Sequence, residues 1–258
     1  MAVGSPERML PALRDPKRPP EPPTGLRSHL SDDPSGLAEV VDERVGSRIV
    51  TIRAADSGGR RSSANILVHK MYAMRGYTTS IGAQGAPNLV TLIATDHEET
   101  IGTISVRFDS PEGLRSEELF PDEIRALRDQ GRHLCEFTKL AMDHVVKSKR
   151  VLASLFHTAY IWAHRILDFD DVVIEVNPRH VLYYRKKLGF AVIGPQRMNR
   201  RVNAPAVLMR LDFAQARRHV ERWAGSAEQN PQERSLYPYF FSPQEEAGLI
   251  ARLPKSPP

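Results

Sequence analysis

The sequence predicts a mixed α/β fold, in which a central sheet carries helices on both faces and follows a proline-rich arm. Segments with the pattern of strands alternate with segments of helical period, in the order β-α-β-β-(α)-β-α-β-α-β-β. Of the 258 residues, 41% are hydrophobic, which is enough to fill a substantial core. The first forty residues show neither the apolar period of a strand nor that of a helix, and they are expected to lie outside that core.

The N-terminal arm is expected to span residues 1–45. It contains eight prolines among scattered charges and few apolar side chains. Such a segment cannot bury enough surface to offset its chain entropy, so we predict a disordered or extended arm.

Residues 46–224 are expected to form the folded domain. The segment from Ile49 to Ala55 has the pattern of a strand, and Ser63 is the predicted cap of a following helix. The apolar positions of that helix are Ile66, Leu67, Met71 and Met74. Two β-like runs joined by a polar turn at 96–99 predict a hairpin, and a short helix should end at Gly131.

The second half of the domain begins with residues 133–142, which are apolar at nearly every position. This run predicts a central strand that is covered on both faces. The elements expected after it are a helix over 151–167, a strand over 171–176, a helix from Asn177-Pro178 to Gly189, strands over 191–193 and 206–211, and a helix over 214–223. Residues 225–258 are expected to form a linker and a short amphipathic tail.

Composition and motifs exclude several classes of function. No glycine-rich phosphate loop follows a strand, and the single cysteine, Cys135, has no paired ligand motif for zinc. We therefore expect no metal site. No apolar run is long enough for a membrane span, and a lone cysteine is typical of a reducing compartment, so we expect a cytoplasmic protein.

The segment with the clearest chemical signal is the predicted central strand. Its period of two places Glu136 and Thr138 on one face, where a carboxylate costs several kcal/mol unless it is paired or protonated. Burial raises the pKa of such a carboxyl, which suits a general base that works near neutral pH. The alternative is a structural ion pair of Glu136 with Arg107 or Lys139.

Residues 49–213 resemble the GNAT acyltransferase superfamily in their order of elements and in the hairpin before the central strand. Members that use acyl-CoA carry a glycine-bearing turn after that strand, which holds the pyrophosphate of coenzyme A. Residues 143–151 contain no glycine, so this anion-binding turn is not expected here.

The sequence is more similar to the long-chain N-acyl amino acid synthases. The matching motifs are Glu136-Phe137-Thr138-Lys139, Asn177-Pro178-Arg179-His180, and Tyr183-Tyr184 ahead of Gly189-Phe190. The resemblance implies transfer of a long-chain acyl group from acyl carrier protein to the α-amino group of an amino acid. It implies no bound cofactor, because 4′-phosphopantetheine arrives on the acyl carrier protein.

The same resemblance implies roles for individual residues. Glu136 is expected to be the base, with Thr138 orienting it or holding the carbonyl, and Tyr184 to protonate the leaving thiolate. Backbone N–H groups near Leu140 and Ala141 are expected to stabilise the oxyanion. The residues expected to bind substrate are Lys139, Leu140, Ala141, Asn177, Arg179, His180 and Arg107. Each of three residues also has an alternative structural role. In these alternatives Thr138 is only a strand-forming residue, Tyr184 only a core residue, and His180 only a hydrogen-bonding residue that fixes the first helix turn.

Basic residues before one predicted helix and on the next helix form a predicted docking surface for the acidic acyl carrier protein. They are Lys147, Lys149, Arg150, Arg185, Lys186 and Lys187. An ordinary solvated helix face is the alternative.

Three other functions remain as alternatives. An acyl-CoA-dependent GNAT acetyltransferase would share the fold. An acyl-homoserine-lactone-type synthase would share Glu136 and Thr138, but residues 69–77 lack the tryptophan of its S-adenosylmethionine signature. A basic nucleic-acid-binding or regulatory module is disfavoured, because the net charge is only +5 and no recognition motif is present.

Overall fold

Nine strands form one sheet within the residues that this computed structural model describes, which are Met1 and residues 41–45, 48–77, 88–143 and 148–253. Apart from Met1, these residues belong to one structural unit. The strands are β1 (Val41–Val45), β2 (Arg48–Ala54), β3 (Leu89–Asp96), β4 (Glu99–Phe108), β5 (Leu134–Met142), β6 (Asp171–Val176), β7 (Ala191–Val192), β8 (Arg197–Asn199) and β9 (Ala204–Asp212). The helices are α1 (Gly58–Ala73), α2 (Pro121–Asp129), α3 (Lys149–Tyr160), α4 (Val181–Leu188), α5 (Phe213–Trp223) and α6 (Pro243–Arg252).

The sheet is mixed, with the order β1-β2-β3-β4-β5-β6-β9-β7 and with β8 paired to β9. In the described part of the chain, β5 and β6 are parallel and the other neighbouring strands are antiparallel. This topology confirms the predicted α/β class.

Helices cover both faces of the sheet, as the sequence predicts. On one face, Leu67 and Met71 of α1 pack with Ala141 of β5, and α2 packs on Leu134. On the other face, the Phe156 ring of α3 lies 6.4 Å from the Phe137 ring. Because successive side chains of a strand alternate between faces, Glu136 shares the α1 and α2 face with Leu134.

The central strands separate halfway along their length. The pairing of β5 with β6 ends at Glu136 and Val173, so the rest of β5 pairs with β4 alone. A bulge accompanies this separation, because Thr103 pairs with Ala141 and Ser105 with Thr138, which leaves one extra residue on β5. Lys139 lies in this bulge with a positive φ of 52°. The result is a gap between β5 and β6 at the middle of the sheet.

Helix α1 begins earlier than the sequence predicts. Its N-cap is Ser57, whose hydroxyl accepts a hydrogen bond from the Arg60 N–H at 3.3 Å, and Ser63 lies inside the helix. Leu67 and Met71 are buried as expected, whereas Ile66 and Met74 are exposed. The predicted hairpin turn and the end of α2 near Gly131 are confirmed.

The long helix predicted over 151–167 consists of α3 followed by a π-helical segment, Ile161–Ile166. The helix predicted from Asn177 opens with a short 3-10 turn, Pro178–His180, and continues as α4 to Gly189 at a φ of 84°. Strand β8 has no counterpart in the sequence prediction, because three residues are too few to show a period.

Both predicted flanks of the domain need correction. Residues 41–45, assigned to the arm, form β1 and pair with β2, while residues 2–40 of the arm lie outside the described residues. The C-terminal segment is no linker, because Leu236, Tyr237 and Phe240 are buried in the main core. The Tyr237 hydroxyl donates a hydrogen bond to the Leu188 carbonyl at 2.7 Å. None of the described helices is long and apolar enough to cross a membrane.

Candidate active site

A cavity of about 430 Å³ opens where β5 and β6 separate. Its floor is the second half of β5, and its walls come from α1, α3, α4 and the start of β9. Apolar side chains make up much of the lining, among them Ile104, Leu140, Met142, Leu152, Phe156 and Val176. Such a lining suits an extended apolar ligand.

Glu136 is the buried carboxylate of this cavity, with 3% of its surface exposed. Its Oε2 accepts a hydrogen bond from the backbone N–H of Arg115 at 2.8 Å. Burial raises the pKa of Glu136 to about 7, and the negative charge of Glu175 acts in the same direction. The Arg115 N–H and the charges of Arg107 and Arg201 oppose this rise in pKa.

The alternative of a structural ion pair is not observed among the described residues, where no cation lies within 4.0 Å of the Glu136 carboxylate. Arg107 donates to Asn88 Oδ1 at 3.1 Å instead. The Lys139 side chain is part of the cavity lining. Burial and the charges of Arg115 and Arg107 lower its pKa. A carboxyl with a pKa near 7 and no ion pair is well suited to act as a base.

Lys139 and Arg115 are two cations in the cavity lining without an ion-pair partner in the described part of the chain. They lie near each other, since the charge of Arg115 lowers the pKa of Lys139. Two such cations beside a buried base form a place where the carboxylate of a substrate can bind.

Tyr184 lies on α4 with its ring edge-on to the Phe156 ring at 6.4 Å. Burial raises the pKa of its phenol, which therefore stays protonated at neutral pH. His180 also lines the cavity, and its Nε2 accepts a hydrogen bond from Arg179 at 3.2 Å. Burial and the charge of Arg179 lower the pKa of His180, which keeps the imidazole neutral.

Most of the predicted site residues meet at this cavity. Those that line it are Glu136, Thr138, Lys139, Leu140, Ala141, Asn177, His180 and Tyr184. Arg107 and Arg179 do not. Arg179 turns outward and donates to the Tyr77 hydroxyl at 2.6 Å, because its place in the short 3-10 turn directs it to the end of α1.

The predicted docking residues that the structure describes lie on α3 and α4, two helices that also line the cavity. Lys149 and Arg150 lie in the first turn of α3, whereas Arg185, Lys186 and Lys187 lie in the last turn of α4. Lys149, Arg185 and Lys186 are exposed, while Lys187 donates to the Arg234 carbonyl. Lys147 lies outside the described residues.

The structure adds four residues that the sequence did not indicate, namely Arg115, Glu175, Asn199 and Arg201. Glu175 could have been found from the sequence, because it is a second carboxylate in an apolar strand, where a charge is costly unless it is paired or protonated. Arg115 lies in a short 3-10 turn, Asn199 ends the three-residue strand β8, and Arg201 lies in the turn that follows it. None of these segments is long enough to show a period, so only the tertiary structure brings the three residues to the site.

A larger and more open depression of about 780 Å³ lies at the start of β5. Its charged residues are mutually satisfied, since Arg128 pairs with Asp109 at 2.7 Å and also contacts Glu117. We assign it no chemistry.

A sheet that opens between two parallel central strands, with a buried carboxylate and a strand bulge at the opening, is the arrangement of the GNAT acyltransferases. The protein is an N-acyltransferase of this class. The family model of the N-acyl amino acid synthase FeeM matches residues 63–212, which is more than half of the chain. The chain therefore belongs to the FeeM family of N-acyl amino acid synthases.

The chain is also similar, to different degrees, to several solved structures. FeeM, an N-acyl amino acid synthase from uncultured soil microbes, is 29% identical, with a TM-score of 0.62 over 67% of this chain and 94% of that chain. A putative N-acetyltransferase from Lactobacillus plantarum is 14% identical, with a TM-score of 0.48 over 64% of this chain and 98% of that chain. The AHL synthase LasI is 11% identical, with a TM-score of 0.47 over 66% of this chain and 91% of that chain. No curated protein matches the chain.

Proposed function

We propose that this enzyme transfers a long-chain fatty acyl group from acyl carrier protein to the α-amino group of a free amino acid. The observation that carries the proposal is the buried Glu136, which has no ion-pair partner among the described residues, in a cavity lined by apolar side chains and by the two cations Lys139 and Arg115. The cavity thereby offers places for an acyl chain, an amine and a carboxylate.

Glu136 serves as the general base in this proposal. The α-ammonium group of the acceptor must lose a proton before its nitrogen can attack the thioester carbon, and Glu136 takes that proton directly or through a water. A pKa of about 7 leaves the carboxyl ionised above neutral pH while keeping it a stronger base than an ordinary glutamate.

Attack places a negative charge on the thioester oxygen. The backbone N–H groups of Leu140 and Ala141 are the proposed donors to this oxyanion, because the bulge at Lys139 lies where β6 no longer pairs with β5. The C–S bond then breaks while the attacking nitrogen loses its second proton to solvent, and the neutral amide product and the pantetheine thiolate are released.

Tyr184 contacts the leaving thiolate in this mechanism. A thiol has an ordinary pKa of about 8.5, below that of a phenol, and burial raises the pKa of Tyr184 further. The hydroxyl therefore stabilises the thiolate by donating a hydrogen bond, and solvent supplies the final proton. This refines the role of full proton donor that the sequence suggested.

The acceptor carboxylate binds Lys139 and Arg115, which have no ion-pair partner among the described residues. This assignment favours free amino acids over simple amines, because an amine would leave both cations uncompensated in a partly buried site.

Two features support acyl carrier protein as the donor. Helices α3 and α4, which both line the cavity, carry exposed basic residues. Residues 143–151 contain no glycine with which to hold the pyrophosphate of coenzyme A. Both helices also contribute apolar side chains to the cavity, so a carrier docked there can deliver its acyl chain inward.

The proposal is tested by incubating the full-length protein with palmitoyl acyl carrier protein and the twenty amino acids, followed by mass spectrometry of the products. We expect at least one N-palmitoyl amino acid, and none with the Glu136→Gln variant over the same period. Release of free palmitate alone, or no consumption of the thioester, would overturn the proposal.

A further inference from the structure

A second carboxylate, Glu175 of β6, lies beside Glu136. It is two residues beyond Val173, the partner of Glu136 in the parallel pair, so both carboxylates are on the same face of the sheet. The Glu175 side chain is 10% exposed. Arg201 donates to its Oε1 and the Asn199 side-chain amide donates to its Oε2, so both oxygens are held by the protein.

Arg201 connects Glu175 to the group that holds Glu136. Its Nη1 donates to the Arg115 carbonyl oxygen at 2.9 Å, while its Nη2 donates to Glu175. The N–H of the same Arg115 residue donates to Glu136 Oε2. A continuous path of hydrogen bonds therefore runs from Glu175 through Arg201 and the Arg115 backbone to Glu136.

The turn between β8 and β9 that carries Arg201 is fixed in place. The Arg201 N–H donates to Asn199 Oδ1 at 2.9 Å, and Arg197 donates to the Leu119 carbonyl and to Glu123, both at 2.9 Å. These contacts attach the turn to the segment that contains Arg115. The backbone of Arg201 is therefore fixed in place, and its side chain also pairs with Glu118 at 3.1 Å.

Glu136 Oε1 accepts no hydrogen bond from the described residues, in contrast to Oε2. One oxygen is thus occupied by the protein, and the other is left for a substrate amine or a bridging water. The Arg115 N–H holds one carboxylate oxygen, and the carbonyl of the same residue is held by Arg201.

We propose that Glu175, Asn199 and Arg201 are positioning residues for the base Glu136. Arg201 holds the Arg115 amide on Glu136 Oε2, and Asn199 and Arg201 together fix the Glu175 charge beside it. The inference rests on the proposed role of Glu136 and names residues that act through it without touching the substrate's reacting atoms.

Charged and titratable groups lie near Glu136 on several elements. They are Arg107 on β4, Lys139 on β5, Glu175 on β6, Arg115 in the 3-10 turn and Arg201 in the β8–β9 turn, with His69, Arg75 and His180 in the lining of the same cavity. Glu175 raises the pKa of Glu136 and Arg201 lowers it. Neutralising these two residues should therefore move the pKa of Glu136 in opposite directions.

This inference is tested by measuring kcat/KM as a function of pH for the full-length wild-type protein and for its variants Glu175→Gln and Arg201→Gln. Because the base must be ionised, the acidic limb of the profile follows the pKa of Glu136. We expect that limb to move to lower pH in Glu175→Gln and to higher pH in Arg201→Gln, each by about half a pH unit or more. Arg201→Lys should restore the wild-type position, since it keeps the charge.

Two exposed residues supply matched controls. Arg200→Gln neutralises the neighbour of Arg201, and Glu99→Gln neutralises a carboxylate on the β3–β4 hairpin. Neither should move the profile. Shifts of the same sign in Glu175→Gln and Arg201→Gln, or a loss of rate with no shift in either, would show a merely structural role and overturn the inference.

A second measurement separates this inference from the proposed function. Carbon-13 NMR titration of the Glu136 carboxyl, identified as the signal missing from Glu136→Gln, reports its pKa without any turnover. If no N-acyl product forms at all, the proposed function fails, yet the opposite shifts should still appear. If product forms and the titration of Glu136 is the same in both variants, the inference alone fails.

Discussion

Glu136 combines three properties at the residue scale: burial, the absence of an ion pair among the described residues, and one hydrogen bond from a backbone N–H. Burial without an ion pair disfavours the charged carboxylate, and a single backbone hydrogen bond stabilises it only weakly. Together they explain a pKa of about 7 for a glutamate. Such a group destabilises the fold in its charged state and is retained where chemistry requires a base.

The first prediction concerns the stability of Glu136→Gln. The ordinary pKa of 4.5 rises to about 7 in the folded protein, which binds more protons than the unfolded chain between these values. The contribution of Glu136 to the free energy of unfolding therefore falls as the pH rises from 4.5 to about 7. At about pH 8, the variant should be more stable than the wild type by about 3 kcal/mol.

Urea denaturation at pH 8 and at pH 4.5 checks this prediction. The gain should nearly vanish at the lower pH, where Glu136 is largely protonated in the folded protein. Equal stability of the two proteins at pH 8 would mean that the charged form of Glu136 is not disfavoured by the fold.

The sequence was sufficient to single out Glu136, because a carboxylate in an otherwise apolar strand is visible without tertiary structure. Arg201 and Asn199 were not, since their proximity to Glu136 depends on how the β8–β9 turn folds against residues 115–123. Arg179 does not line the cavity itself, although its motif position suggested that it binds substrate. Its guanidinium donates to the hydroxyl of Tyr77, which does line the cavity, and its role in substrate binding stays a prediction.

At the scale of elements, the end of β5 sets the geometry of the site. The periods of the sequence indicated each major strand and helix in the domain, with boundaries that moved by a few residues. The bulge at Lys139 and the separation of β5 from β6 were not encoded in any period, because they result from pairing between distant strands.

The second prediction concerns the turn between β5 and α3. Because residues 143–150 contain no glycine, the turn cannot readily form the tight backbone nest that binds a pyrophosphate. We expect a kcat/KM for acyl carrier protein at least about tenfold above that for acyl-CoA of the same chain length, since only the carrier adds docking contacts. Equal values in a direct comparison would contradict this interpretation of the donor.

The third prediction concerns the C-terminal segment that packs on α3. The Phe240 ring stacks on the buried His157 ring at 4.5 Å, and the Phe241 N–H donates to His157 Nδ1 at 3.0 Å. Phe240→Ala should lower the free energy of unfolding by about 3 kcal/mol. The KM for the acceptor should not change, because the segment does not line the cavity.

Denaturant unfolding of Phe240→Ala should be compared with Met198→Ala, which removes an exposed side chain. A loss in Phe240→Ala no larger than in that control would show that residues 225–253 form the loosely attached tail that the sequence suggested.

At the scale of the whole molecule, a mixed sheet with helices on both faces brings α3 and α4 to the same cavity. Both helices carry exposed cations, namely Lys149, Arg185 and Lys186, which we call the basic rim. Composition alone did not reveal this organisation, since a net charge of +5 spread over 258 residues is small.

The fourth prediction concerns that rim. Replacing Lys149, Arg185 and Lys186 by glutamate should raise the KM for acyl carrier protein by roughly tenfold and leave kcat nearly unchanged, because exposed charges mainly govern encounter. Added salt should have a similar effect on the wild type. An acyl-pantetheine donor lacks the acidic protein, so its kinetics should respond little. Equal effects on both donors would identify these residues as an ordinary solvated surface.

The rate of N-acyl amino acid formation by Glu136→Gln tests the proposed mechanism most directly. It is measured in a single turnover at about pH 8, with saturating acyl-loaded carrier protein and saturating acceptor amino acid. Since a positioned general base contributes about 10²-fold or more, we expect a loss of at least that size in a protein whose folding is intact. A rate within a few fold of the wild type would contradict the assignment of Glu136 as the base and with it the proposed mechanism.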